Sequence, residues 1–282
     1  MLRITKLSAG YTTADVVRNV SFSLQKGKIT GLIGVSGSGK STLLKTISGK
    51  VRASCGSLKG ISFEEDLSRE LLIPERDGVY LVDQEFDLMP YLNVYDNIKK
   101  AHLNLSQTAI KKGVQFSSKQ IGLSGLKNKK ANTLSGGQKQ RTAVASAFLG
   151  EADLLLFDEP FSQLDFELKQ KVKSLIKDQV AERYSLIALH EPSDFLEICD
   201  YLIVLKNGRI IQQGTPEDVY RIPKDDYVAS LCGYFTTITD ELADVLNLSS
   251  GSFLRPSDLV VSTNGNIKGS VLSTSFHGLY YL

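Results

Sequence analysis

The sequence has few cysteines, little net charge and no long apolar run, and each shortage excludes a class of protein. The three cysteines, Cys55, Cys199 and Cys232, lie far apart and match no metal-binding spacing, so we expect the reduced thiols of a cytosolic chain. The net charge is +2. One small basic cluster, residues 127–130, is typical of a solvated surface, so nucleic acid is not the favoured partner.

Apolar segments are short throughout the chain. None approaches the roughly 20 residues that a membrane-spanning helix needs. The first seven residues hold no apolar signal segment, so we expect no export. If the protein acts at a membrane, we expect it to do so through a partner. The hydrophobic content of 42% is ordinary for a globular protein, and a length of 282 residues favours about two domains.

The most informative segment is glycine-rich and covers residues 34–42, with the sequence GVSGSGKST. It fits the pattern G-x-x-x-x-G-K-[ST] of a loop that binds nucleotide phosphates. In such a loop Lys40 contacts the β- and γ-phosphates and the Ser41 hydroxyl binds Mg²⁺. The flanking residues predict a buried strand over 29–34 and a helix over 41–48, which disfavours a glycine-rich turn that matches the pattern by chance.

An apolar strand over residues 153–157 ends in two carboxylates, Asp158 and Glu159. Charges at the end of a buried strand are costly unless they meet a cation or polar partners. With a phosphate loop upstream, we expect Asp158 to bind Mg²⁺ and Glu159 to polarise an attacking water molecule. Two solvated acids at a strand end remain the alternative when this segment is considered alone.

Two other features are candidates for contact with a nucleotide. Ser135, Gly136 and Gly137 open a helix that runs to Phe148, and paired glycines at a helix start leave N–H groups free for an anion. Tyr11 follows a turn ahead of the phosphate loop. It is either a packing residue or a flat ring on which adenine stacks.

The remaining pattern predicts an α/β fold. Residues 2–24 alternate between apolar and polar, which predicts two antiparallel strands, and strands then alternate with helices. Residues from about 85 to 133 are polar and helix-rich, which indicates a helical insert. From residue 236 to residue 282, short apolar runs separated by turns predict a small β appendage.

At these motifs the sequence resembles the ATP-binding subunit of ABC transporters, over residues 1–235. The motifs that carry the resemblance are Walker A at 34–42, the Q-loop at Gln84, the signature sequence at 134–141, Walker B at 154–160, the D-loop at 162–165 and the H-loop at His190. The resemblance implies a phosphate-loop ABC ATPase core with an antiparallel β subdomain, the helical insert and a short TOBE-like segment at 236–282.

The branch of the family is indicated by smaller similarities. Residues 89–94 and 214–220 resemble bacterial importer ATPases, and residues 253–259 resemble the start of the C-terminal β domain of importers of ferric iron, polyamines, sulfate and sugars. Ser257 replaces the usual glutamate of that start, and Glu191 with Pro192 follows His190 where an aspartate and a polar residue are common.

The resemblance also implies the roles of single residues. ATP would lie between Walker A of one subunit and the signature sequence of another in a head-to-tail dimer. The implied catalytic residues are Glu159, His190 and Lys40, and the implied metal ligands are Ser41, Gln84 and Asp158. The implied nucleotide-binding residues are Tyr11, Gly34, Ser36, Gly37, Ser38, Gly39, Lys40, Ser41, Thr42, Gln84, Ser135, Gly136, Gly137, Gln138 and Asp165.

The function implied is ATP hydrolysis that energises solute import, with ferric iron or a polyamine as the favoured solute. The implied partners are transmembrane permease subunits, a second ATP-binding subunit (a copy of this chain or a relative) and, indirectly, a solute-binding protein. The chain would lie peripherally on the cytoplasmic face of the inner (plasma) membrane. The alternatives are a soluble ABC ATPase acting on ribosomes or DNA, a regulatory or storage role of the β appendage, and an exporter. A single cassette, the lack of heptad repeats and the low net charge disfavour the first. Ser257 in place of glutamate and the short tail disfavour the second, and the lack of membrane spans disfavours the third.

Overall fold

The computed structural model describes residues 1–11, 14–60, 63–69, 76–100, 106–150 and 152–259. The chain forms two compact units, Met1–Pro216 and Glu217–Leu282. The domain boundary predicted after residue 235 lies within the second unit and stays a prediction.

Twelve strands lie in the described residues: β1 (Leu2–Ala9), β2 (Val17–Leu24), β3 (Ile29–Ile33), β4 (Ala53–Lys59), β5 (Glu64–Asp66), β6 (Val79–Val82), β7 (Leu154–Asp158), β8 (Tyr184–Leu189), β9 (Tyr201–Lys206), β10 (Arg209–Gly214), β11 (Thr236–Thr237) and β12 (Phe253–Leu254). Nine α-helices lie in the same part of the chain: α1 (Lys40–Ser48), α2 (Val94–Lys100), α3 (Gln107–Gln120), α4 (Gly136–Ala147), α5 (Phe166–Val180), α6 (Pro192–Ile198), α7 (Pro216–Arg221), α8 (Asp226–Leu231) and α9 (Asp240–Leu246).

The first sheet is antiparallel and has the strand order β2-β1-β4-β5. Leu2 pairs with Leu24 and Ile4 with Phe22, so the apolar positions of β1 and β2 face the same side. All four side chains are buried, which agrees with the alternating pattern of residues 2–24.

The second sheet has six strands in the order β10-β9-β3-β8-β7-β6. Strands β9, β3, β8, β7 and β6 run parallel to one another, and β10 lies antiparallel to β9 at the edge of this sheet. Every residue of β3, β7 and β8 is buried, as expected for strands covered on both faces. The carboxyl ends of the parallel strands therefore meet at one edge, where ligands bind in sheets of this kind.

The predicted helical insert contains α2 and α3, which pack against α4. Apolar side chains such as Val94, Ile110 and Val144 are buried there. Arg141 of α4 is buried too, and its Nη1 donates hydrogen bonds to the carbonyls of Ile121 (2.6 Å) and Gly122 (3.2 Å). Within the described ranges, no helix is both long enough and apolar enough to span a bilayer.

The second unit is centred on the side chain of Arg255, which is 4% exposed. It donates two hydrogen bonds to the carbonyl of Tyr220 (3.1 and 3.0 Å) and one to that of Ala229 (3.4 Å), and lies over the Tyr220 ring. The short β11–β12 pair belongs to the predicted appendage, but α9 was not predicted. The apolar runs beyond Leu259 lie outside the described residues.

Candidate functional site

The carboxyl edge of the six-stranded sheet brings the predicted site residues together. Gly34 follows β3, Gln84 lies two residues beyond β6, Glu159 follows β7 and His190 follows β8. These positions come from parts of the sequence up to 156 residues apart by their numbering, and parallel pairing aligns them. The sheet therefore assembles the phosphate loop, the carboxylates and the histidine on one side of the molecule.

The phosphate loop ends in a helix start that has no side-chain cap. Gly39, the N-cap of α1, has φ of +106°, a left-handed conformation that favours glycine. The first N–H groups of α1 therefore remain available to an anion. Ser36 of the loop is exposed, whereas Ser38 and Thr42 are buried, and the Ser38 hydroxyl has no hydrogen-bond partner among the described residues.

Lys40 lies folded over its own loop. Its Nζ donates hydrogen bonds to the carbonyls of Gly34 (2.7 Å) and Val35 (3.2 Å), and the side chain is buried. Burial lowers the pKa of Lys40, while the nearby charges of Glu159 and Asp158 oppose that change. The loop thus holds an ammonium group next to open helix N–H groups, a pairing suited to a polyanion.

Asp158 is a buried carboxylate without a counter-charge in contact. It is 3% exposed, and neither oxygen has a hydrogen-bond partner in the part of the chain that the structure describes. Burial raises its pKa, and the charges of Asp83 and Glu159 raise it further. Ser41 lies near enough to lower this pKa, although no hydrogen bond of good geometry joins the two side chains. A carboxylate and a hydroxyl in this arrangement fit Mg²⁺, which takes few protein ligands and completes its shell with phosphate oxygens.

Glu159 and His190 face each other across a small cleft. Glu159 Oε2 lies 3.5 Å from His190 Nδ1, and His190 Nε2 lies 3.5 Å from the carboxylate of Glu191. The cleft lined by these three residues has a volume of about 80 Å³, which exceeds the ~10–15 Å³ that a water molecule needs. Glu159 has φ of +51°, a conformation that costs a residue with a side chain about 1–3 kcal/mol.

Two signature residues, Ser135 and Gln138, form a capping box at the start of α4. The Ser135 hydroxyl accepts a hydrogen bond from the Gln138 N–H, and the Gln138 side chain accepts one from the Ser135 N–H. Packing also explains why residues 136 and 137 are glycines, in addition to the predicted anion site. A Cβ atom on Gly137 would lie 2.6 Å from the carbonyl oxygen of Gln163, so the D-loop packs directly against this helix start.

The other predicted residues lie at the surface. Tyr11 is 63% exposed, and Gln84 is exposed as well. Phe86 and Asp87, just beyond Gln84, both have positive φ, which marks a strained turn. Asp165 caps α5, because its Oδ1 accepts a hydrogen bond from the Leu168 N–H at 2.9 Å.

Gln140 also belongs to this site, although the sequence did not predict it. Gln140 of α4 is 1% exposed, and its Nε2 donates a hydrogen bond to the carbonyl of Glu159 at 2.8 Å. Its place within the signature sequence was a signal, but nothing in the sequence indicates the direction of its side chain.

Comparison with known proteins identifies the family. A family model described as ABC transporter matches residues 17–162. The chain belongs to the ABC transporter family. This ABC cassette is 29% identical to the spermidine/putrescine import ATP-binding protein PotA of Mycoplasma capricolum subsp. capricolum, over 100% of its own length and 86% of that protein's length. It is 30% identical to PotA of Acetivibrio thermocellus over the same shares.

Solved structures agree with this assignment. The cassette matches a structure described as the ATP-binding subunit of an ABC transporter with a TM-score of 0.69 and 26% identity, covering 83% of this chain and 95% of that one. CbiO1 from Clostridium perfringens, described as part of the ABC transporter complex cbiONQ, matches with a TM-score of 0.64 and 28% identity, over 77% and 89% of the two chains. The predicted α/β ABC ATPase fold, the family and the use of ATP are confirmed.

Proposed function

We propose that this ABC ATPase binds and hydrolyses ATP to energise the import of a solute, with a polyamine favoured over ferric iron. The observation that carries the proposal is the convergence of Lys40, Asp158 and Glu159 at one sheet edge, with an ammonium, a buried carboxylate and a water-sized cleft. Similarity to two spermidine/putrescine import proteins over the whole chain supports the import role and the solute class.

The phosphate loop would bind the nucleotide. Lys40 and the N–H groups at the start of α1 would hold the β- and γ-phosphates, with Ser36, Ser38 and Thr42 along the loop. The exposed Tyr11 would stack on adenine. Ser41, Gln84 and Asp158 would hold Mg²⁺, whose charge neutralises the phosphate oxygens. The unpartnered oxygens of Asp158 support this metal site.

Glu159 would accept a hydrogen bond from a water molecule and align it with the γ-phosphorus. The water oxygen would then bond to the γ-phosphorus and give a proton to the Glu159 carboxylate, while the bond from phosphorus to the bridging oxygen breaks and that oxygen leaves with ADP. His190, 3.5 Å from Glu159, would orient that carboxylate and contact the γ-phosphate. A site of this kind works by positioning and charge stabilisation.

A head-to-tail dimer would complete the site. The signature residues Ser135 to Gln138 would contact the γ-phosphate held by the partner subunit, and Asp165 would couple the two sites. Ser135 is exposed at the start of α4, which leaves that helix end accessible to a second chain. A copy of the same chain or a relative could fill this place.

Permease subunits would be the membrane partner, contacted through the helical insert with Gln84 at its hinge. The chain would then lie on the cytoplasmic face of the inner membrane, and a solute-binding protein would take part indirectly. The strained turn at Phe86 and Asp87 supports a hinge at this point. No feature of the described residues favours the alternative of a soluble ABC ATPase acting on ribosomes or DNA.

The test is a detergent extraction of native membranes that contain the tagged chain, followed by affinity capture and identification of the bound proteins. An untagged chain serves as the control. We expect a permease with several membrane-spanning helices together with a solute-binding protein. Measuring the binding of spermidine, putrescine and ferric iron to that protein then identifies the solute. Ribosomal or DNA-bound partners without any membrane protein would contradict the import role.

A further inference from the structure

Gln140 lies where three functional segments of the chain meet. It belongs to α4, one turn after the signature glycines, and its side chain points away from solvent. Its Nε2 donates to the Glu159 carbonyl (2.8 Å) and to Ser162 Oγ (3.2 Å), and its Oε1 accepts from the Gln163 N–H (3.0 Å). One amide therefore joins the signature helix to Walker B and to the D-loop.

This junction requires a side chain that both donates and accepts. The Glu159 carbonyl is an acceptor and the Gln163 N–H is a donor, so the partners determine which end of the amide faces which. A glutamate in its place would set a carboxylate oxygen against a carbonyl. An apolar side chain would leave the Gln163 N–H without this partner and the Glu159 carbonyl with only the longer hydrogen bonds from Ser162. Unsatisfied buried groups of this type are costly.

The backbone of Glu159 is held on both sides. Its N–H donates to the Ala188 carbonyl of β8 (3.1 Å). Its carbonyl accepts its shortest hydrogen bond from Gln140 on α4 (2.8 Å) and longer ones from the hydroxyl (3.2 Å) and the N–H (3.4 Å) of Ser162. Between these points the residue has its left-handed conformation, which persists only where surrounding contacts enforce it. A shift of α4 relative to the sheet would therefore rotate this peptide and move the carboxylate away from the cleft.

We propose that Gln140 is a positioning residue that makes the orientation of Glu159 depend on the signature helix of the same chain. Contact of the signature with nucleotide on the partner subunit moves the rigid 12-residue helix α4. Gln140 transmits that movement to the chain's own carboxylate, so each site hydrolyses ATP once the other is occupied. The inference rests on the proposed function, because it requires a dimer with two ATP sites.

The first test is steady-state ATP hydrolysis by the purified chain with Gln140→Met, which keeps the length of the side chain and removes its hydrogen bonds. We expect kcat to fall about 10–100-fold, as when a partner that orients a reacting group is lost. KM for ATP should change less than about twofold, since no ground-state contact is removed. The Hill coefficient of the rate against ATP concentration should fall towards 1, the value for independent sites. Gln120→Met makes the same change at an exposed position of α3 and should leave kcat and KM unaltered.

Mixed dimers decide whether Gln140 acts within its own chain. Two differently tagged chains are co-expressed, one carries Glu159→Gln, and tandem purification leaves dimers with one competent carboxylate. We expect Gln140→Met to reduce the rate when it shares a chain with the intact Glu159. When Gln140→Met is placed on the chain that carries Glu159→Gln, the rate of the mixed dimer should change little. A defect of the signature itself would give the reverse, since that signature completes the partner's site.

The outcomes separate the two proposals. Absence of ATP hydrolysis by the wild-type chain would contradict the proposed function. An active wild type with an unchanged rate in both mixed dimers, or with loss only in the second, would overturn the role of Gln140. If Gln140→Met does not fold, Gln140→Glu keeps the shape and the acceptor but removes the donor, and the same results are expected from it.

Discussion

In the absence of nucleotide, replacing Asp158 with asparagine should make the folded chain more stable. In the presence of Mg-ATP, the variant should gain less stability than the wild-type chain does. The carboxylate is buried, and neither oxygen has a partner among the described residues. Leaving such a group unsatisfied costs about 1–3 kcal/mol. The asparagine keeps the shape and removes the buried charge, and a charged group costs more to bury without a partner than a neutral amide does, so we expect a gain of ~2 kcal/mol in the free energy of unfolding. At about 2–4 °C per kcal/mol for domains of 150–250 residues, Tm rises by about 4–8 °C.

With Mg-ATP bound, the wild-type chain should be more stable than Asp158→Asn. Mg-ATP at 100 times its Kd stabilises a protein by about 2.7 kcal/mol, and the wild-type chain should show that full increase. Asp158→Asn should lose most of it, because the proposed metal ligand is gone. Thermal unfolding with and without Mg-ATP measures both effects. Asp178→Asn, the same change on the exposed face of α5, should alter stability by less than about 0.5 kcal/mol.

The effect on stability should depend on pH with a definite sign. Burial raises the pKa of Asp158 above its usual 3.8, so the folded chain keeps this proton at pH values where the unfolded chain has lost it. The destabilisation is absent below the unfolded pKa and grows as pH rises through the folded pKa. The advantage of Asp158→Asn should therefore be largest near neutral pH. If the variant unfolds below the wild-type Tm without nucleotide at neutral pH, the carboxylate has a stabilising partner and the reasoning is wrong.

Three further predictions concern other positions. Glu159→Gln should keep ATP affinity but lower hydrolysis at least ~100-fold, since the amide cannot act as the base, and near-normal turnover would contradict its role. Lys40→Ala should raise the Kd for ATP at least ~10-fold, because a charged hydrogen bond is worth about 1.5–3 kcal/mol, and unchanged affinity in a titration would argue against the phosphate loop. Arg255→Met should lower the stability of the second unit by about 1–3 kcal/mol, because the carbonyls of Tyr220 and Ala229 lose a buried donor, and hydrogen exchange of α8 measures this loss. Exposed Arg221→Met serves as its control and should change it by less than about 0.5 kcal/mol.

The fold and the phosphate loop could be predicted because their signals are local. The apolar runs of β3, β7 and β8 are continuous, and all their residues are buried. The loop motif carries its own conformational requirement, since Gly39 has the left-handed φ expected of glycine there. Helix α9 was missed although Thr239 accepts a capping hydrogen bond from the Leu242 N–H, and acidic residues fill its first turn. The turn-rich sequence around it outweighed this signal.

The role of Gln140 could not be predicted for a different reason. Its partners, Glu159 and Gln163, lie 19 and 23 residues further along the chain, and only the folded arrangement of α4 and β7 brings them to it. The same holds for Gly137, whose lack of a side chain matters because Gln163 packs against it. Patterns within a segment indicate which face is buried, but they do not indicate which distant backbone group that face will meet.

The position of β3 in the middle of its sheet has a consequence for synthesis on the ribosome. Both neighbours of β3 are encoded late, and the Ile29 N–H donates to the carboxylate of Asp200, 171 residues further on. The phosphate loop is therefore translated early but acquires its supporting strands only after β8 and β9 have emerged. Pairings of such large sequence separation form slowly and leave strand edges exposed meanwhile. Nascent chains shorter than about 200 residues should be unable to retain ATP and should depend on chaperones until β9 is complete.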